Sequence, residues 1–208
     1  MKKLEPLHDY VRKRIKNDPA HDFEHVMRVY SNAKKIAESE GADLRLVLTA
    51  VLLHDIVSFP KSDRRSKTAS LKSAAAAKKI LPKYDYTVRE IKIICDAIRD
   101  HSFSRNKTPE TLEGKVLQDA DRLDAIGAIG IARTFAVGGG EGRPLYNKID
   151  PFCLRRKPDD KAWTVDHFYR KLLLLEKKMN TASAKKEAKR RISIMERFLA
   201  DLGREIHP

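Results

Sequence analysis

The chain has 208 residues, with 43 Lys and Arg against 29 Asp and Glu, so its formal net charge is +14. Apolar residues make up 41%, which is too much for a disordered chain, and two cysteines exclude a disulfide-built scaffold and a cysteine-rich zinc module. A positive charge of this size suits nucleic acid, a membrane surface or phosphorylated small molecules, and equally a solvated surface. Composition alone does not choose among these.

The length predicts one domain, or one domain with an extension. The N-terminal residues contain no apolar run after their basic residues, so we predict no secretory signal. No stretch reaches the roughly 20 apolar residues that a membrane-spanning helix needs. Cys95 and Cys153 are expected to be reduced thiols, as in a cytoplasmic protein.

Helical periodicity dominates the sequence and no strand pattern is convincing, which predicts an all-α fold. Apolar residues from Val26 to Ala37 recur at spacings of three and four, and Gly41 predicts the end of that helix. Asp43 can cap the next helix, over Leu44–Leu53. This helix is apolar nearly all round, so we expect it at the buried centre of a bundle.

The rest of the chain is also predicted to be helical, apart from one long stretch. Helices are expected up to about Leu81, from Val88 to about His101, and from about Thr111 to Phe135. Residues 137–162 contain consecutive glycines and several prolines without periodicity, which predicts an irregular loop. Two further helices are predicted over about 164–203.

His54 and Asp55 stand at the end of the most apolar helix. An imidazole and a carboxylate in such a place cost several kcal/mol if they lack partners. A bound cation would remove that cost. Two imidazoles and two carboxylates without a thiol suit Mn²⁺, Fe²⁺, Mg²⁺ or Zn²⁺, so the pair favours a metal site.

Other histidines and aspartates could complete such a site. His25 opens an earlier helix, and His21, four residues before it, could pair with it as a second ligand. His101 follows a helix end. Asp119 and Asp121 are two residues apart and face different ways on a helix, so at most one is expected to be a ligand.

Taken in order, His25, His54-Asp55 and Asp121 match the H…HD…D pattern of the HD-domain metal-dependent phosphohydrolase superfamily. The segments HDFEHVMRV, LLHDIVSFPK, HSFS and QDADRLDAIGAIGIARTF resemble a bacterial-type, nucleotide-pyrophosphatase-like subgroup of these hydrolases. The resemblance covers about residues 20–200. It implies one HD-type domain over 1–208, with a helical core at about 20–135.

The same resemblance implies one divalent ion held by His25, His54, Asp55 and Asp121. It implies hydrolysis of a phosphate ester or anhydride of a nucleotide or similar small molecule, with nucleoside triphosphate pyrophosphohydrolysis among the options. Some members carry a Glu three residues after the HD aspartate to position water. This chain has Ser58 there.

Further roles follow for residues near the motif. Asp55 would be both ligand and proton acceptor, and His101 a donor or general acid near the leaving group. Asp124 would not bind the ion itself but would orient a metal ligand or a water molecule by hydrogen bonding. Asp22 would hydrogen-bond a ligand histidine in the same way, or would simply cap the helix that follows it.

Three basic residues are candidates to neutralise the charge of a bound phosphate: Lys61, Arg64 and Arg122. Two other functions compete with hydrolysis. A basic nucleic-acid-binding protein would explain the net charge, but aromatic residues are only 7% and no recognition motif is present. A non-catalytic HD domain that senses a ligand would keep the ligand set without turnover.

Overall fold

The computed structural model describes residues 4–15, 22–59 and 63–206. Its α-helices in this part of the chain are α1 (Glu5–Arg12), α2 (Phe23–Glu40), α3 (Leu44–Leu53), α4 (Ala69–Ile80), α5 (Val88–Asp100), α6 (Leu112–Asp124), α7 (Gly127–Gly140), α8 (Asp166–Arg170) and α9 (Ala182–Ile206). The described residues contain no strand, which confirms the predicted all-α fold.

The chain divides into two compact units, the first Met1–Asp121 and the second Arg122–Pro208. The boundary falls within α6. The expectation of a single HD-type domain stays a prediction, and so does a cytoplasmic location. Among the described residues, every helix is too short or too polar to cross a bilayer.

Helix α3 forms the centre of the first unit, as its apolar sequence predicts. It packs against α1, α2, α4 and α5, and every residue from Leu46 to Leu53 is buried. The Asp43 carboxylate accepts a hydrogen bond from the backbone N–H of Leu46 and so caps α3. Gly41 ends α2 in the left-handed region at φ 73°. These contacts fix the helix that leads directly into His54.

Helix α1 is an addition to the core that the periodicity analysis did not identify. Leu7 and Val11 are both fully buried, and α1 packs against α3. The two residues are four apart, so they share one face of a helix. That spacing is the signal from which α1 could have been predicted.

The prediction of one helix from about Thr111 to Phe135 was wrong. The segment forms α6 and α7. An extended Ile126 precedes α7, and Gly127, at φ 79°, is the first residue of α7. A Cβ at Gly127 would lie 3.1 Å from the Cβ and Cγ atoms of Arg191. Glycine therefore supplies both the left-handed backbone and the space that this sharp break needs.

The predicted irregular loop begins later than expected, because the glycines at 138–140 complete α7. An ideal Cβ on Gly138 would lie 2.3 Å from the Thr164 Oγ1 atom. Glycine at position 138 therefore lets α7 approach Thr164 closely. Loop residues 141–165 then follow, without regular helix, as predicted for most of this stretch.

The first of the two predicted C-terminal helices is also interrupted. α8 ends at Arg170, and 3₁₀ turns follow over Leu172–Leu174 and Glu176–Lys178. Three residues per 3₁₀ turn place Leu172 and Leu175 on one side, and both are buried. The second predicted helix is present as α9, which packs against α7 in the second unit.

Candidate metal centre

His25 lies in the first turn of α2, where it is 1% exposed. The Asp22 carboxylate accepts a hydrogen bond from the backbone N–H of His25 at 2.7 Å and caps the helix. Asp22 therefore positions this histidine through its backbone. Its proposed hydrogen bond to a ligand imidazole stays a prediction.

His54 follows the last residue of α3 and is fully buried. Its Nδ1 atom lies 2.6 Å from the carbonyl oxygen of Val51, an acceptor that requires Nδ1 to carry the proton. The Nε2 atom is then an acceptor, and it is buried with no hydrogen-bond partner among the described residues. Such a nitrogen is suited to bind a metal ion.

His101 repeats this arrangement at the end of α5. Its Nδ1 atom lies 2.7 Å from the carbonyl oxygen of Ile98, three residues earlier, just as His54 contacts Val51. The His54 and His101 ring centroids are 5.1 Å apart. Two buried imidazoles therefore have their Nε2 atoms left for a common site.

Two carboxylates face these imidazoles. Asp55 Oδ2 lies 3.6 Å from His54 Nε2 and 3.9 Å from His25 Nε2. Asp55 Oδ1 lies 3.8 Å from His101 Nε2. Asp121 Oδ1, on α6, lies 3.6 Å from His25 Nε2. The structure thus brings all four predicted ligands together and adds His101.

These distances fit a shared ion. Two atoms that each lie about 2.1 Å from one metal ion are at most about 4.2 Å apart. The four distances between an imidazole Nε2 atom and a carboxylate oxygen are all below that limit. The ligand atoms of His25, His54 and Asp121 lie within 4.8 Å of one another, as do those of His54, Asp55 and His101. The donor set of imidazole and carboxylate suits a divalent transition metal or Mg²⁺.

The net pKa shifts of His101 and Asp121 favour the protonation states that bind metal. Burial lowers the pKa of His101, and the neighbouring His54 lowers it further, against the opposing effect of Asp55 and Asp121. Burial raises the pKa of Asp121, but the charges of His101, His25 and His54 together bring it below its usual value. A neutral imidazole and an ionised carboxylate are the forms that coordinate metal ions.

The remaining predicted site residues are Lys61, Arg64, Arg122 and Asp124. Lys61 lies outside the described residues, as does His21, and Arg64 is exposed in a 3₁₀ turn. In the second unit, Arg122 donates to the carbonyl oxygen of Lys178, and the buried Asp124 carboxylate pairs with Arg133 at 2.6 Å. Their assigned roles stay predictions.

Sequence reasoning missed a cluster of charges beside His101. The Asp100 carboxylate is 3% exposed and accepts hydrogen bonds from Arg99 at 2.9 and 2.6 Å. Lys107 lies 3.4 Å from the same carboxylate and Arg105 lies 3.8 Å from it. An aspartate immediately before a candidate histidine, with basic residues on both sides, is the signal that could have identified it.

The chain is similar to a known protein family and to individual known proteins. The model of the HD domain family matches residues 22–126, which include every residue of the candidate centre. YpgQ of Bacillus subtilis is 35% identical to this chain, with 99% of this chain and 95% of YpgQ covered.

Solved structures are similar over almost the whole length. The crystal structure of YpgQ in complex with ADP has a TM-score of 0.77 at 33% identity and covers 99% of this chain and 96% of YpgQ. A crystal structure of an HD-superfamily hydrolase from Bacillus thuringiensis has a TM-score of 0.75 at 35% identity and covers 98% of this chain and 96% of that protein.

Proposed function

The chain belongs to the HD domain family, and we propose that it is a metal-dependent phosphohydrolase that acts on a nucleotide or a similar small phosphorylated molecule. The observation that carries the proposal is the buried His54 Nε2 atom, held 3.6 Å from Asp55 in a group of imidazoles and carboxylates. In a purely structural core such an atom would be costly.

His25, His54, Asp55 and Asp121 would hold the ion. A divalent ion bound there would polarise a phosphoryl oxygen and lower the pKa of a bound water molecule. Asp55 presents Oδ2 to His25 and His54, and Oδ1 to His101. One oxygen of Asp55 would contact the ion, and the other would accept the proton of the attacking water.

His101 would act on the substrate phosphate. With Nδ1 donating to Ile98, the neutral ring offers Nε2 as an acceptor, and burial keeps its pKa low. The negative charge of a bound phosphate would raise that pKa, so that His101 could take up a proton and donate it to the leaving group. Asp124 would orient a ligand or a water molecule.

Two observations support a nucleotide as the substrate. The structure of YpgQ, similar to this chain over 99% of its length, is described in complex with ADP. The net charge of +14 favours an anionic ligand. Lys61, Arg64 and Arg122 are the residues that we propose to contact the phosphates.

The test is an activity screen of Mn²⁺, Fe²⁺, Mg²⁺ and Zn²⁺ against nucleoside mono-, di- and triphosphates, with phosphate and pyrophosphate release measured separately. We expect turnover with at least one pair, and a loss of at least about a hundredfold in Asp55→Asn. The control is Asp96→Asn, which changes a carboxylate on α5 that pairs with Lys92 and Arg99. Equal turnover in the wild type and Asp55→Asn would contradict catalysis at this site.

The screen, together with measurements of ADP and nucleic-acid binding, separates the competing functions. A ligand-sensing HD domain would bind the metal and ADP without releasing product from any substrate. A nucleic-acid-binding protein would instead bind DNA or RNA tightly and lose that binding steeply with added salt.

A further inference from the structure

We propose that Gln118 is a positioning residue, which holds the segment that begins with His101 against α6, the helix that carries Asp121. The role of His101 in turnover rests on the proposed function. The placement of the segment by Gln118 rests on hydrogen bonds alone, so the two can be tested separately.

Gln118 is fully buried in α6, and its amide group makes two hydrogen bonds to the backbone. The Nε2 atom donates to the carbonyl oxygen of Asp100 at 2.9 Å and to that of Lys107 at 2.8 Å. Both acceptors are carbonyl oxygens, so only the NH₂ end of the amide can face them. The two N–H bonds of one side chain are therefore both used on this segment.

The two carbonyl groups stand at the ends of one short loop. Asp100 is the last residue of α5, where helix carbonyls lack a partner in the helix, and Lys107 lies beyond the 3₁₀ turn Phe103–Arg105. The Asp100 carboxylate also lies 3.4 Å from the Lys107 ammonium. The loop is thus closed twice, by the Gln118 amide and by an ion pair.

His101 is the first residue of this closed loop, and its ring is fixed by the contact of Nδ1 with Ile98. Gln118 and Asp121 are three residues apart on α6, so they lie on the same side of the helix. Gln118 therefore connects the backbone beside His101 to the helix that supplies Asp121. Without its amide, two carbonyl groups would lose a donor and the loop would lose its link to α6.

The first test does not depend on activity. Gln118→Met keeps the length of the side chain and removes both donors. We expect amide hydrogen exchange over residues 101–107 to become at least about tenfold faster, while the circular dichroism spectrum is unchanged.

The matched control is Thr49→Val. It removes a buried hydrogen bond between the Thr49 Oγ1 and Tyr86 hydroxyl atoms at 2.5 Å, elsewhere in the first unit. We expect it to leave exchange over 101–107 unchanged. Equal exchange over this loop in Gln118→Met and the wild type would overturn the proposal.

The second test asks whether Gln118 acts through His101. Gln118→Met should lower kcat about tenfold, with KM and the bound metal unchanged, and should lower it less than about twofold when His101 is already alanine. Independent, multiplicative effects of the two substitutions would overturn the coupling. A wild type without turnover would contradict the proposed function instead, and the exchange measurement would still decide the role of Gln118.

Discussion

His54 and His101 reach the candidate metal centre by the same local geometry. Each follows the last residue of a helix, and each has its Nδ1 atom against the carbonyl oxygen three residues earlier. That contact uses a carbonyl oxygen in the last turn of the helix and selects the tautomer whose Nε2 accepts. A helix end thereby fixes the orientation of each imidazole ring through a backbone carbonyl oxygen.

Which aspartate is the candidate metal ligand, Asp119 or Asp121, is also a question about single residues. Spacing alone left it open, and the resemblance to HD hydrolases favoured Asp121. In the structure Asp121 Oδ1 lies 3.6 Å from His25 Nε2. The sequence pattern could identify the ligand types, but only the packing of α6 beside α2 shows which carboxylate faces His25.

We expect Asp121→Asn to bind Mn²⁺ at least about a hundredfold more weakly than the wild type, because the amide keeps the shape but loses the ligand charge. Calorimetric titration measures this directly, and Asp96→Asn is again the control. Equal Mn²⁺ affinity in Asp121→Asn and the wild type would remove Asp121 from the ligand set.

The hydrogen bonds from Gln118 to Asp100 and Lys107 lie beyond what this sequence could predict. Gln118 and Asp100 are 18 residues apart and belong to different helices. Neither periodicity nor a local motif relates them, because their contact depends on how α5 and α6 pack. The positioning of His101 is therefore a tertiary property.

At the scale of elements, the bounds of helices are hardest to predict at glycines. Gly127 breaks an apparently continuous helical pattern, whereas the glycines at 138–140 continue a helix where a loop was expected. A glycine has no side chain whose pattern would show whether it ends a helix or continues one. Its neighbours in space decide: Arg191 packs at Gly127, and Thr164 packs at Gly138.

Gly138→Ala should destabilise the protein by about 1–3 kcal/mol, because its Cβ would collide with the Thr164 side chain. Gly139→Ala is the matched control. It has no atom within 4 Å of the added Cβ, and it should raise stability by up to about 1 kcal/mol. Urea unfolding measures both.

Truncation of the Thr164 side chain should restore stability to Gly138→Ala. We expect Thr164→Ala to recover much of the stability lost in Gly138→Ala, because it deletes the Oγ1 and Cγ2 atoms that lie 2.3 and 2.7 Å from the ideal Cβ. Losses that simply add in the double variant would show that the contact with Thr164 does not select glycine at position 138.

Helix α9 supports the break between α6 and α7 through Arg191. This side chain donates to the carbonyl oxygen of Leu123 at 2.6 Å and to the Glu187 carboxylate at 2.7 Å. Hydrogen bonds from Arg190 and Arg191 lower the pKa of Glu187 from 4.5 to about 2, against the opposing effect of burial. The carboxylate thus holds the arginine that packs on Gly127.

Glu187→Gln should lower the stability at pH 7 by about 1 kcal/mol. Because the pKa of Glu187 is lower in the folded state, its contribution is complete above 4.5 and is lost as the pH falls towards about 2. The difference between variant and wild type should therefore shrink when urea unfolding is repeated at lower pH. Glu196→Gln, an exposed change on the same helix, should show no such trend.

At the scale of the whole molecule, the sequence predicted the helical class and the buried central helix correctly. Helix α3 is identifiable because its sequence is apolar nearly all round, and the residues from Leu46 to Leu53 are all buried. The 3₁₀ turns that follow α8 could not be identified from the sequence, because buried leucines at 172 and 175 suit either an α-helix or 3₁₀ turns. Packing, rather than pattern, decides between these two.

The net charge of +14 is also a property of the whole chain. If it serves a small anionic substrate, DNA should bind only weakly, with a dissociation constant of about 10⁻⁴ to 10⁻⁶ M, and progressively less as salt is added. Fluorescence anisotropy with a short duplex measures this. Nanomolar binding that persists at physiological salt would favour a nucleic-acid partner.

A titration of metal-free protein with Mn²⁺, in which bound metal and turnover of the best nucleotide substrate are measured on the same samples, tests the central claim most directly. We predict that both rise together and reach a plateau at one ion per chain, and that His54→Ala shows neither. Full turnover by the metal-free protein, or one bound ion per chain without hydrolysis of any phosphate tested, would contradict a metal-dependent phosphohydrolase.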